Sequence, residues 1–170
     1  IFFFVMIVMG IQQGMQPIVG YNYGSKQYDR MVRAFKLAVY SATCVMSVLW
    51  LFGEIWPEGF IRLFTHDSLL VESSIAPARV MLCVMCAIGF PMVTGNFYTS
   101  IGMAKKAIFL SLTRQVLFLI PLILGMPILF EQLGWDPLWG VWWSWPISDT
   151  LSVLTAAILI NKDMRTFRLE

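Results

Sequence analysis

Charge is scarce in this chain of 170 residues, where Asp, Glu, Lys and Arg make up 13% and hydrophobic residues 58%. A soluble domain carries about 25% charged and about 45–50% apolar residues, because an exterior in water needs polar cover. That shortage excludes a water-soluble fold, since one core of this size cannot bury so much apolar surface. The mean hydropathy of +0.73 agrees, and lipid is the solvent for much of the chain. The net charge is only +2 and the basic residues are not massed on one segment, so nucleic acid is not an expected partner. Histidine occurs once, at His66, and cysteine three times. Cys83 and Cys86 have CxxC spacing, but there is no second pair. With Cys44 they stand in apolar runs, which predicts buried thiols and no metal site. A charged leader and a cleavage site are also missing before the first apolar run, so that run is not a signal peptide. It opens directly at Ile1, which reads as a chain truncated within its first helix.

What the sequence has is long apolar runs. A membrane-crossing helix needs about 20 mostly apolar residues. Helices are predicted at about 1–23, 34–56, 68–103, 107–130 and 137–160, an all-α integral membrane bundle of five transmembrane helices. Asp67 or Ser68 is the expected N-cap of the third, and Asp136-Pro137 an N-cap followed by proline at the first helical position. The third is long enough to bend, and the Gly89-Phe90-Pro91 stretch is the expected place. Residues 161–170, NKDMRTFRLE, read as a charged tail.

Loop charge orients these helices. Lys26, Arg30, Arg33 and Lys36 follow the first, Lys105 and Lys106 the third, and Lys162, Arg165 and Arg168 the fifth. The other loops hold Glu54, Glu58, Asp67, Glu72, Glu131 and Asp136, with Arg62 as the basic exception. Basic loops stay cytoplasmic, which predicts a cytoplasmic C-terminus in a multi-pass protein of the cell (inner) membrane. Trp50, Trp56, Trp135, Trp139, Trp142 and Trp143 fall at the opposite interface, the depth that indoles favour.

Polar residues inside the runs need partners or a water-filled cavity. Gln12, Gln13, Gln16 and Asn22 cluster on the first helix; Gln12 and Gln16, four apart, are expected on one face, and Pro17 predicts a kink. Two GxxxG spacings, Gly10/Gly14 and Gly20/Gly24, leave close helix packing with glutamine hydrogen bonds as one reading and cavity lining as the other. Thr94, Asn96, Tyr98, Thr99 and Ser100 crowd the third helix. Arg114, about 13 Å from the inner end, and Asp149, about 20 Å from it by a rise of 1.5 Å per residue, are a candidate intramembrane ion pair, extended by Gln115 and Ser148. The pair either pins two helices or leaves Asp149 to titrate or meet a substrate. Proline recurs at Pro17, Pro91, Pro121, Pro127 and Pro146, as in helices that must bend.

The stretch GIQQGMQPIVGYNYGSK, residues 10–26, resembles the multidrug and toxic compound extrusion (MATE) family. So do, in order, PEGFIRLFT at 57–65, GFP at 89–91, IGMAKKA at 101–107, SLTRQ at 111–115 and WPISD at 145–149. The resemblance implies a twelve-helix, two-lobe antiporter that exports drugs or other small organic substrates in exchange for Na+ or H+, without another cofactor. Residues 1–170 would be its C-terminal lobe, helices eight to twelve, partnered by the missing N-terminal lobe and the lipid bilayer. Gln12, Gln16, Asn96, Tyr98 and Thr99 become candidates for the substrate cavity. One departure stands out: no Asp or Glu occurs between Ser73 and Gly102, where some members carry an acidic cation ligand. Coupling by Na+ or H+ is then expected in the missing lobe.

A flippase for lipid-linked precursors, from the same superfamily, is the alternative. It would need several deep basic residues, and Arg114 reads as the only one. An enzyme would need a catalytic constellation and a channel a filter loop or charged ring; neither is present, so no enzymatic activity is expected.

Overall fold

The computed structural model describes residues 2–62, 65 and 67–167. Its elements are helices throughout: α1 (Phe2–Gly24), α2 (Tyr28–Ile55), the short α3 (Pro57–Arg62), α4 (Ser68–Leu82), α5 (Met85–Ser100), α6 (Ala104–Leu112), a π-helical segment (Thr113–Leu119), α7 (Ile120–Gln132) and α8 (Pro137–Phe167). His66, expected in an outer loop, and Arg168, expected in the tail, lie outside the described residues, as do Leu63 and Phe64 of the PEGFIRLFT stretch.

The two faces of α2 show which solvent the fold is made for. Met31, Phe35, Ala38, Ala42, Met46, Leu49 and Gly53 recur every three or four residues and are buried against the bundle. The opposite stripe, Leu37, Tyr40, Val48, Leu51 and Ile55, is just as apolar and fully outward, with Ile55 78% exposed. A helix apolar on all sides belongs in a core or in a membrane. Cys44 falls on that outward stripe and is exposed, as is Cys83, while Cys86 is half-buried. The expectation of buried thiols is corrected for Cys44 and Cys83, which stand on the outer surface of the bundle.

Among the described residues three helices, Tyr28–Ile55, Ala104–Gln132 and Pro137–Met164, are long and apolar enough to cross a membrane, and α4 with α5, bent by 47°, are together apolar enough for a fourth, broken span. At 23 residues α1 is also long enough, about 34 Å by the helical rise, although glutamines and an asparagine stand among its apolar residues.

Several boundaries differ from expectation. The basic stretch at 28–36 is the first part of α2 rather than a loop. Lys26, in the left-handed region at φ 57°, turns the chain out of α1, and Asp29 stands in the first turn of α2, where the helix dipole favours an acid. The break in the third span lies at Cys83–Val84, not at Gly89–Pro91, which sits inside α5. Leu82 anchors the end of α4 in the gap left by Gly53 of α2, and the Ala87 N–H closes a short turn on the Val84 carbonyl at 3.0 Å. Asp67 caps α4, accepting from the Leu69 N–H at 3.0 Å, and Asp136 caps α8 through the Leu138 N–H at 2.9 Å. The expected tail is helical as far as Phe167, whose ring stacks on Tyr28 at 5.7 Å and meets Tyr23 edge-on at 6.0 Å. These contacts gather the basic segments at one end of the bundle.

The centre of the bundle is α5, packed on α1, α2, α6 and α8. Val93, Thr94, Phe97 and Tyr98 have no exposed surface, and the Phe97 ring lies 4.8 Å from that of Phe35. The Gly10/Gly14 spacing does not carry helix packing here, because a Cβ on either would meet nothing within 4 Å; Gly20 alone of the four closes on a neighbour, the Ser100 carbonyl. The tight approach is elsewhere. A Cβ on Gly140 of α8 would lie 2.7 Å from the Met126 carbonyl and the Pro127 nitrogen of α7.

Gly140→Ala must therefore push α8 off α7. The expected cost is about 1–3 kcal/mol, read as a lower denaturation temperature of the detergent-purified full-length protein, with Gly125→Ala, which meets nothing within 4 Å, leaving it unchanged.

Candidate functional site

A polar cleft of about 370 Å³ opens within the bundle between α1, α5, the α6–π segment and α8. Helical phase decides what reaches it. On α1 the buried stripe runs Val8, Gln12, Met15, Val19, Asn22, so Gln12 enters the cleft. Gln16, expected beside it, falls one position off that stripe; it is exposed and does not line the cleft. From α5 come Gly95, Asn96 and Thr99, below Pro91. Ser111, Arg114 and Gln115 line the facing wall and Ser152 of α8 closes it.

Pro121 explains why Arg114 sits where it does. Proline has no N–H to give to the preceding turn. The helix widens over Thr113–Leu119 instead, with the Ile120 N–H reaching back five residues to the Gln115 carbonyl. The Arg114 carbonyl accepts from Ser148 Oγ at 3.0 Å, and the Arg114 Nε donates to Asp149 Oδ1 at 2.8 Å. The Asp149 side chain is 8% exposed and that of Arg114 33%, so the carboxylate is enclosed while the guanidinium edge reaches the cleft. Gln115 is exposed and takes no part in the pair. Breaking one partner of such a pair costs about 3–5 kcal/mol, because the other charge is left without a counterpart.

Most hydroxyls of α5 are spent locally: Thr94 donates to the Phe90 carbonyl at 2.8 Å, Thr99 to Gly95 at 3.1 Å and Ser100 to Asn96 at 2.8 Å. Gln12 differs. It is buried and its Nε2 has no hydrogen-bond partner among the described residues, as is true of Thr113 Oγ1. An unsatisfied buried donor costs about 1–3 kcal/mol, so the Gln12 amide is a standing demand for an acceptor in the cleft. The polar side chains of Arg114, Gln12, Asn96 and Gln115 thus line one space inside an apolar bundle. Among the described residues no three His, Cys, Asp or Glu side chains group as metal ligands.

Tyr98, the remaining candidate, turns away from the cleft. It is wholly buried, and its hydroxyl donates to Asp163 Oδ2 at 2.7 Å. Lys106 Nζ donates to both Asp163 oxygens, at 2.7 and 2.6 Å, and stands 5.5 Å over the Tyr98 ring. This triad ties the α5–α6 turn to the end of α8. Sequence reasoning missed it by ending the last helix at 160. The signal was there in the spacing Asp149, Ser152, Ala156, Ile160, Asp163, Phe167, one continuous inward stripe. A second basic residue also went unread: Arg79 of α4 stands 3.9 Å from Glu54 and is largely exposed, at the acidic end and not at depth.

Residues 1–124 match the family model described as MatE. Among curated relatives the chain is similar to the multidrug export protein MepA of Staphylococcus saprophyticus, 21% identical over 91% of this chain and 33% of that protein. MepA of Staphylococcus aureus is 24% identical over the same shares. Among solved structures it is similar to the MATE multidrug transporter DinF-BH, solved in complex with a ligand, at 40% identity and a TM-score of 0.86 over 99% of this chain and 36% of that one. An inward-facing multidrug resistance MATE transporter shares the fold at 16% identity, with a TM-score of 0.85 over 98% of this chain and 38% of its own. The chain spans about a third of the length of the proteins it matches.

The ion pair makes a direct prediction. Asp149→Asn and Arg114→Gln each destabilise the purified full-length protein by about 3–5 kcal/mol, whereas the double variant, which leaves no unpaired charge, loses less than either. Unchanged thermal stability in both single variants would overturn the structural role of the pair.

Proposed function

We propose, from the premise that the chain belongs to the MatE family, that it is the C-terminal lobe of a cation-coupled antiporter exporting drugs or other small organic compounds. Relatives at 21–24% identity are named multidrug export proteins and one at 40% a multidrug transporter, and this likeness over nearly the whole chain carries the reading. The fold adds physical support: a donor-lined cleft opens in a bundle whose outer faces suit lipid. In this reading Gln12, Asn96 and Thr99 offer hydrogen bonds to the polar parts of a substrate. The Arg114–Asp149 pair keeps α8 fixed to the π-helical segment as the lobe rocks against its counterpart.

The basic end, with Lys26, Arg30, Arg33, Lys36, Lys105 and Lys106, would face the cytoplasm, and with it the end of α8. Asp149 is already engaged by Arg114, so the carboxylate that binds Na+ or H+ would belong to the other lobe. The flippase alternative calls for a group of free cations to hold a pyrophosphate, and the one cation of the cleft, Arg114, is committed to Asp149. That favours the drug exporter.

The test is efflux of a fluorescent organic cation from proteoliposomes of the full-length protein under imposed Na+ or H+ gradients. Gradient-dependent efflux is expected, with Gln12→Ala and Asn96→Ala each raising the half-saturating concentration about fivefold to tenfold, as for one lost hydrogen bond. Gradient-independent behaviour with every organic cation tried would sink the antiporter, and movement of a lipid-linked pyrophosphate would move the assignment to the flippase.

A further inference from the structure

Two clefts meet at the basic end of the bundle, away from the polar cleft described above. The deeper, of about 360 Å³, runs between α2 and α8 over Phe90 of α5, with Phe35, Ile160 and Met164 as its apolar walls and Asn161 as a polar one. The shallower, of about 150 Å³, lies toward the helix ends and is lined by Tyr28, Asp29, Arg33 and Phe167. Val32 and Lys36 line both, so an apolar slot opens directly into a small charged mouth.

The charges at that mouth are uncommitted. Among the described residues the salt bridges take Arg62, Arg79, Lys106 and Arg114. Arg33 and Lys36 are exposed and have none. They stand three apart, on one helical face. Residues 26–36 carry four basic side chains against the single acid Asp29, a net +3. Hydrocarbon would not hold two unpaired cations at this depth, but long basic side chains reach to the headgroup level while their stems stay on apolar surface.

We propose that this composite cleft is a binding site for an anionic phospholipid of the leaflet at the basic end. One acyl chain fills the slot over Phe90, and the phosphodiester sits between Arg33 and Lys36. The Asp29 carboxylate repels the phosphate toward those two cations and accepts a hydrogen bond from a headgroup hydroxyl, as in a glycerol headgroup. The stacked rings of Tyr28 and Phe167 close the mouth. Basic pockets between membrane helices hold anionic lipids by this combination of charge and apolar contact. The competing view is that these residues only supply positive charge to the basic end of the bundle, and it makes a different prediction, because any basic residue of the segment would then serve equally.

The full-length protein, delipidated in detergent, is titrated with phosphatidylglycerol, phosphatidylcholine and inorganic phosphate, and bound lipid is counted by native mass spectrometry. The readout is independent of transport, so its failure and that of the antiporter reading are told apart. Phosphatidylglycerol should bind at least tenfold tighter than phosphatidylcholine, and inorganic phosphate should not displace it. Arg33→Gln with Lys36→Gln should weaken phosphatidylglycerol about thirtyfold, at about fivefold for each basic residue. Lys26→Gln with Arg30→Gln removes the same charge outside the cleft and should change affinity less than threefold. Equal losses in the two double variants would show a diffuse field and overturn the proposal, as would displacement by inorganic phosphate. Ile160→Trp, which fills the slot, should lower affinity for the long-chain lipid and leave a short-chain analogue unaffected; an unaltered long-chain affinity would also overturn it.

Discussion

Hydrocarbon offers no hydrogen bonds, so each polar group carried into it must be answered by another part of the protein. The backbone meets this by folding into helices. The side chains meet it one by one. Threonines and serines turn to carbonyls of their own helix, Asp149 is answered by Arg114, and the Arg114 carbonyl takes a further bond from Ser148. Three buried atoms lack an answer among the described residues, and at one of them, Gln12, the protein keeps a polar opening inside an otherwise apolar bundle. The outward stripe of α2 obeys the same constraint by being almost wholly hydrocarbon, with the Tyr40 hydroxyl as its polar exception.

Around the central α5 the polar groups divide by face. Asn96 and Thr99 look toward α1 and Arg114, while Tyr98, their neighbour in sequence, looks toward Asp163 and Lys106. One side of the helix is open and rich in donors; the other is closed by a charged hydrogen-bond network. The network fastens the start of α6 to the last helix near the basic end, and the Arg114–Asp149 pair fastens the π-helical segment to the same helix deeper in. The span that begins with α6 is thus held to α8 at two depths, which lets the intervening cleft keep its shape without an apolar filling.

Much of this could be read from residues alone. Apolar runs located the helical spans, Asp67 and Asp136 marked two starts, and the depths of Arg114 and Asp149 suggested that they could meet. Other features depended on contacts that local sequence does not encode. The bend at Cys83–Val84 carries no proline; Leu82 finding Gly53 of α2 is a tertiary event. Tyr98 and Thr99 are adjacent, and only the packing of α5 decided which of them lines the cleft. The last helix was read as too short because a run of charge looked like its end, although Asp163 and Phe167 continued the inward stripe of α8.

The wide turn before Pro121 has a geometric consequence. In an unbroken α-helix Met126, twelve residues after Arg114, would stand about 120° around the axis from it. Both nevertheless address α8, Arg114 through Asp149 and the Met126 backbone through Gly140. The π-helical stretch acts as a phase corrector, taking up surplus rotation so that one helix can grip its neighbour twice. Losing a single residue between Arg114 and Pro121 would leave all four gripping residues intact and still put the two grips out of step.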